Sequence, residues 1–285
     1  MNDWFKRMPD KTFSAYSRTI GANSSEQFQL DSTRVIRSLL FSFTDVASTD
    51  YDNILIKLYA GSVDKTYFQG TIRDLLMVGF LQNTRNLIDG NNVKALLTFD
   101  YPDDNIMSPL VPYIEPITLS VENRTATQIS MTLSMKGVSS STIVNAIHNM
   151  VLNEKKVSPT EVQIKNIMKN IFKVRRFIGR LYDIASTTQT ITIPATQGGS
   201  YDRIVPYLVN GDLDTLTVIG VEEMIEENKF EVLTDQAILE SGVDPANSPS
   251  TKFALLSGLD ASSQYSLNIT ATANTQARVI TERVY

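Results

Sequence analysis

Alternating β segments occur twice in the same order, on either side of one helical stretch, and this order constrains the fold more than any other feature of the chain. In the first run, "RSLLFSF" puts Leu39, Phe41 and Phe43 on one face and "NILIKLY" does the same with Ile54, Ile56 and Leu58. "ISMTLSMK" sets Ile129, Met131, Leu133 and Met135 opposite Ser130, Thr132, Ser134 and Lys136. A period of two residues gives a strand with one buried and one wetted face. "KALLTFDY" and "PITLSVEN" add two strands, and "GTIRDLLMVGFL" reads as a short helix or a turn plus strand. The second run holds "QTITIPA", "DTLTVIGV", "KFEVLT", "KFALLSG", "YSLNITATA" and "QARVITERVY".

Setting Asp52 against Asp214 aligns Ile54 and Ile56 with Leu216 and Val218, and "TIRDLLMV" from Thr71 with "LTDQAILE" from Leu233. With gaps, Leu119 and Val121 fall on Leu267 and Ile269, Thr127-Gln128 on Thr275-Gln276, and Met131 on Val279. The reading is a duplicated β unit; two unrelated β domains or one large sandwich are the alternatives. In both copies the Thr-Gln segment opens the last strand, so the chain is expected to finish in a paired strand.

Between the runs the period changes to three and four. "SSSTIVNAIHNMVLNEK" and "SPTEVQIKNIMKNIFKVRRFIGRLYDIAS" are expected to be helical, the second as one long helix with Ser158 as N-cap, Pro159 in its first position and Glu161 in its third. The expected domains are residues 1–139 with an N-terminal arm, 140–186 as a helical linker or insert, and 187–285.

The chemical inventory is narrow. Among 285 residues there is no cysteine and one histidine, which removes disulfides, thiolate metal sites and thiol nucleophiles. His148 sits in a helical stretch without a nucleophile elbow, and is expected to be a contact residue rather than a catalyst. There is no Walker loop and no GxGxxG. Carboxylates cluster at Glu222, Glu223, Glu226 and Glu227 and at Asp100, Asp103 and Asp104. These read as solvated acidic edges, with a structural calcium ion as the alternative. No other cofactor is expected. A net charge of −5 argues against specific nucleic-acid binding, and the chain, without an apolar leader or a run of ~20 apolar residues, is expected to be made in the cytosol and soluble.

Cations gather where the helix is expected. Lys155, Lys156, Lys165, Lys169, Lys173, Arg175, Arg176 and Arg180 face a single acid, Glu161. The simplest reading is a helix with its apolar side on its own sheet and its basic side in water; contact with an anionic lipid surface or an acidic partner is the other. Trp4 and Phe5 in "NDWFKRMPDKTF" form a candidate arm for a neighbour or a lipid headgroup layer.

Two β units in tandem, a helical insert and little catalytic inventory together resemble the double jelly-roll major capsid proteins of membrane-containing icosahedral phages, particularly the corticovirus type. "DNILIKLYAGSVDKTYFQGTIRDLLMVG" and "DTLTVIGVEEMIEENKFEVLTDQAILES" carry the likeness. It implies a mainly β fold of two consecutive eight-stranded jelly-roll sandwiches. It also implies a homotrimer of pseudo-hexameric outline that meets neighbouring trimers and other capsid proteins in a shell over an internal lipid membrane, in a virion assembled from host-cytoplasmic synthesis. The membrane or partner contacts would then fall on Trp4, Phe5, Lys165, Lys169, Lys173, Arg175, Arg176 and Arg180. No enzymatic activity is expected. The competing reading is a two-domain β-sandwich binding protein, a phage tail or receptor-binding module or a carbohydrate binder, with "IPATQGGSYDRIVPY" as its one candidate site.

Overall fold

The computed structural model of the chain describes residues 5, 8–61, 65–84, 86–100, 106–185, 187–195, 200–220, 223–260 and 262–285. It divides into two units, the first built from Met1–Ile72 and Asn86–Arg175, the second from Arg73–Arg85 and Arg176–Tyr285. The chain is mainly β.

The first unit contains strands β1 (Lys11–Ile20), β2 (Ser24–Gln29), β3 (Arg34–Thr44), β4 (Ile54–Ala60), β5 (Thr66–Thr71), β6 (Leu87–Asp89), β7 (Asn92–Thr98), β8 (Ile117–Asn123) and β9 (Ile129–Ser139). One sheet runs β1-β9-β3-β7-β6, and a second set of neighbours runs β5-β4-β8-β2. All pairings recorded within these two sets are antiparallel. Alternation does what the sequence period requires: β4 and β8 each bury every second residue, Ile54, Ile56 and Leu58 against Leu119 and Val121. Gly137 in β9 sits where a Cβ would lie 2.1 Å from the Val35 carbonyl oxygen, so β3 and β9 approach at that point only because the side chain is a hydrogen.

The second unit contains β10 (Arg175–Ile184), β11 (Thr188–Ile193), β12 (Ser200–Asn210), β13 (Thr215–Ile219), β14 (Glu223–Lys229), β15 (Leu256–Asp260), β16 (Tyr265–Thr270) and β17 (Thr275–Val284). Its neighbours run β15-β12-β17-β10 and β11-β16-β13-β14. Ile191, Ile204, Leu216, Val218, Leu267, Ile269, Ala277 and Val279 from these strands meet in one apolar core. Numbered from first to last within each unit, with the three-residue β6 left out, both units have the order 1-8-3-6 in one set of strands and 2-7-4-5 in the other.

The longer helices among the described residues are α1 (Ile72–Leu81), α2 (Ser140–Lys155), α3 (Glu161–Ile171) and α4 (Phe230–Ser241). Several sequence expectations are corrected here. The long helix expected from Ser158 ends at Ile171, because residues 175–184 form β10 instead. Arg175, Phe177 and Gly179 point inward at a spacing of two, and Leu181, which fitted the helical period, is 45% exposed. The N-cap is Thr160 rather than Ser158. Its hydroxyl accepts from the Gln163 N–H at 3.3 Å while the Gln163 side-chain oxygen accepts from the Thr160 N–H at 2.8 Å, a reciprocal pair that Glu161 could not close. "KFEVLT", expected as a strand, opens α4. The alignment of Thr71 with Leu233 is four residues out, since α1 begins at Ile72 and α4 at Phe230. Four residues is close to one helical turn, so the slip kept the apolar face in phase and went unseen in the sequence.

Candidate interaction surface

Helices α2 and α3 bury one side each and leave the other in water. Ile143 and Ile147 of α2, Ile164 and Met168 of α3, and Phe172 beyond it enclose a core with Val35, Met107, Val138 and Phe5. Lys156 closes α2 in the left-handed region at φ 58°, its N–H bonded to the Leu152 carbonyl. The opposite side of α3 carries Val162, 67% exposed, with Asn166, Lys169 and Asn170. Val157, in the turn between the helices, is also 67% exposed. The exposed surface is therefore lysines interleaved with branched aliphatic side chains.

The candidate cations separate. Lys165 is half-buried, 3.0 Å from Glu161 and 5.0 Å above the Tyr113 ring, and its ammonium holds the Glu161 carboxyl below the usual range by hydrogen bonding and charge. Lys169 and Lys173 are exposed, as are Lys155 and Lys156. Lys173 is fixed in place through its N–H, bonded to the Met107 carbonyl at 2.8 Å.

Arg175 turns inward. It is buried, with Nε donating to the Phe99 carbonyl at 3.1 Å and to Ser108 Oγ at 3.2 Å, so it is removed from the contact set. In the second unit Arg176 is half-buried with its guanidinium 4.5 Å from the Tyr285 ring centroid, and Arg180 is exposed. Phe5 is likewise removed: fully buried, it meets Phe172 edge-on at 5.0 Å, carries the Arg37 guanidinium 4.3 Å above its ring, and its carbonyl accepts from Arg37. An aromatic so enclosed cannot enter a neighbour. Trp4 lies outside the described residues.

The remaining candidates are placed as follows. His148 is half-buried on α2. Asp100 is buried, 3.4 Å from Arg37, and accepts the Ser108 N–H at 3.2 Å, which makes it a structural acid rather than part of a solvated loop. Asp103, Asp104 and Glu222 lie outside the described residues, and Glu223, Glu226 and Glu227 fall in β14. Among the described residues no three His, Cys, Asp or Glu come close enough together to hold a metal ion. Of the sugar-site candidate, residues 196–199 lie outside the described residues, while Ile204, Val205, Pro206 and Tyr207 of β12 are buried. Among the described residues no helix is long and apolar enough to cross a membrane.

One polar cluster had no sequence signal. In the second unit, Asp74 of α1 receives Arg278 Nε at 2.9 Å and the Tyr207 hydroxyl at 2.8 Å, with all three residues buried. The partners come from a helix and two strands far apart in sequence, so no local pattern could reveal them.

No protein-family model and no curated protein matches this sequence. Solved structures do. The major capsid protein of Sulfolobus Turreted Icosahedral Virus is 12% identical, with a TM-score of 0.67 and 97% of each chain covered. The major capsid protein P2 of bacteriophage PM2 is 10% identical, with a TM-score of 0.64 and again 97% of each covered. The Faustovirus major capsid protein is 7% identical, with a TM-score of 0.58, over 97% of this chain and 90% of that one. At such identities the likeness is one of fold, and over nearly its whole length this chain has the fold of the double jelly-roll viral major capsid proteins.

Proposed function

We propose that the chain is a structural major capsid subunit that associates into trimers of pseudo-hexameric outline, and that these tile an icosahedral virion shell over an internal membrane. The carrying observation is the strand order 1-8-3-6 with 2-7-4-5, present once in each unit, in a fold shared end to end with viral major capsid proteins. This order supports two successive eight-stranded jelly rolls. In this reading the second begins with β10, and α2 and α3 precede it in the chain as part of the first unit. Such sandwiches manage their sheet edges by closure and expose loops and rims for contacts. A role in packing copies side by side needs shape rather than reactive groups, in keeping with a buried Asp100, a half-buried His148 and an enclosed Arg175. In the cell the protein would be made in host cytoplasm and end in the particle, with other capsid proteins as further partners.

The lipid contact falls to the α2–α3 surface, where Lys155, Lys156, Lys169 and Lys173 lie beside the exposed Val157 and Val162. Electron microscopy and sedimentation of the purified protein test the capsid reading: trimers or shells are expected, and a monomer at every concentration would sink it. Flotation with anionic vesicles tests the lipid contact. Lys156→Glu, Lys169→Glu and Lys173→Glu together should abolish flotation and leave the fold intact. Equal flotation of the native and substituted chains would remove this surface from the membrane.

A further inference from the structure

Asn210 and Gly211 form the one Asn-Gly pair in the sequence, and they lie where β12 ends in the second unit. An asparagine followed by glycine can close on itself. The glycine amide nitrogen attacks the side-chain Cγ, and glycine has no Cβ to obstruct the approach. A folded chain prevents this wherever it engages that N–H in a hydrogen bond.

At this place β12 loses its register. Leu208 stands opposite Ala277 and Asn210 opposite Gln276, so Val209 is an extra residue without a partner in β17. Asn210 and Gly211 are exposed. Gly211 turns at φ 89°, and among the described residues its N–H makes no hydrogen bond. The chain on either side is tied down. The Leu208 N–H is bonded to the Lys252 carbonyl at 2.9 Å and the Asp212 N–H to Thr275 Oγ1 at 3.1 Å. Lys252 Nζ reaches the Leu213 carbonyl at 2.9 Å and Asp212 Oδ1 at 2.6 Å. Asn210 and Gly211 are thus a free span between two anchored ends.

Other asparagines are placed differently. The N–H that would attack is already engaged after Asn83, where Thr84 donates to the Gly79 carbonyl at 3.0 Å. After Asn123, Arg124 donates to the Asn53 carbonyl at 3.0 Å, and after Asn247, Ser248 donates to the Pro245 carbonyl at 3.1 Å. Each of these following residues also carries a Cβ beside its nitrogen.

We propose that Asn210–Gly211 is a self-modification site, at which the chain converts its own amide to a carboxylate through a cyclic imide. The Gly211 nitrogen gives up its proton and bonds to Cγ of Asn210, the Cγ–Nδ2 bond breaks, and ammonia leaves with the proton. Water then opens the imide. Cleavage at Cγ leaves aspartate, and cleavage at the main-chain carbonyl carbon leaves isoaspartate, whose backbone runs through the side chain and is one carbon longer. Nothing is oxidised or reduced: one water enters and one ammonia departs.

The turn has no slack for that carbon. A Cβ built on Gly211 would lie 2.6 Å from Thr275 Oγ1 and 3.0 Å from Thr275 Cα, so the two backbones already touch. Lengthening the chain must push Thr275 away, and the Thr275 hydroxyl is what holds Asp212, accepting from its N–H and donating to its carbonyl at 2.8 Å. Conversion therefore loosens the end of β12 from β17 as the protein ages. This goes beyond the capsid reading and does not rest on it.

The native chain, held at mildly alkaline pH and followed by peptide mass spectrometry, tests the site. The peptide of residues 204–229, cut out after Arg203 and Lys229, should gain one mass unit at Asn210 before Asn83, Asn123 or Asn247 changes, with fragmentation separating Asn210 from Asn228. Isoaspartyl methylation of the same peptide should appear alongside. Asn210→Gln closes a larger ring far more slowly. It should hold its denaturant midpoint while that of the native chain falls and amide exchange at Asp212 quickens. An Asn210 still intact when Asn247 has turned over overturns the site. Aspartate without isoaspartate overturns the imide route, and conversion with unchanged exchange at Asp212 overturns the loosening.

Discussion

Asp74 and Arg278 are 204 positions apart in sequence and meet side by side inside the second unit, Oδ1 to Nε at 2.9 Å and Oδ2 to Nη2 at 2.5 Å. Tyr207 donates to the same Oδ1 at 2.8 Å, so the carboxylate is satisfied on both oxygens where water does not reach. Removing one member leaves a charge buried without its partner, which costs more than the pair contributes. Asp74→Ala is expected to destabilise the second unit by about 3–5 kcal/mol. The combined Asp74→Leu, Arg278→Met, Tyr207→Phe chain should lose much less. Denaturant unfolding followed by hydrogen exchange in β12 and β17 makes the comparison, and equal losses for the two variants would show that the cluster is not coupled.

Gly179 provides the room for that pair. A Cβ built on it would lie 2.4 Å from Asp74 Cγ and 2.5 Å from each carboxylate oxygen. Gly179→Ala must therefore push the carboxylate off Arg278, at a cost of about 1–3 kcal/mol. In an Asp74→Ala background the obstructing atoms are gone, and the same substitution should cost almost nothing. A Gly179→Ala penalty that persists unchanged in that background would place its cause elsewhere in β10.

What the sequence made legible follows from how local each signal is. Strands with a strict period of two and one buried face, β4, β8 and β9, are plain in the sequence because burial and period coincide. β1 carries no plain strand signal, since its register shifts between Ser14 and Tyr16 and breaks the alternation. β2 buries only Phe28, and it lies at the end of its row of strands where polar side chains are tolerated. β10 carries apolar residues that satisfy both periods at once, and only its pairing in the folded chain decides between them. The basic stretch was visible as composition. Which cations reach water was not, since Arg175 is turned inward by the Phe99 carbonyl and Ser108, neither of them near it in sequence.

Phe5 illustrates the same limit and gives a third prediction. Enclosed by Phe172 and Arg37, it belongs to the core under α2 and α3. Phe5→Ala should lower the stability of the first unit by about 3–5 kcal/mol. Vesicle flotation of the folded fraction should not change. A variant that keeps its unfolding midpoint but loses flotation would return Phe5 to the contact surface.

The turn between β2 and β3 gives the pH prediction. Asp31 accepts the Thr33 N–H at 2.8 Å and the Thr33 hydroxyl at 2.8 Å, and stands 3.5 Å from Arg34 Nε. Burial pulls its carboxyl upward, but the Thr33 bonds and the Arg34 charge outweigh that pull and leave it below the ordinary 3.8. As pH falls the unfolded chain takes up this proton first. The contribution to stability is therefore complete above 3.8 and disappears as pH drops through the lowered folded value. Asp31→Asn keeps the turn's shape and removes the titration. Its denaturant midpoint at neutral pH should sit slightly below that of the native chain, and the difference should close below about pH 4. Arg34 is also held over the Phe13 ring at 3.8 Å, so the turn stays anchored to β1 when the carboxyl is protonated, and the change should be a shift in midpoint without loss of cooperativity. Parallel acid limbs for the two chains would exclude Asp31 as the titrating group.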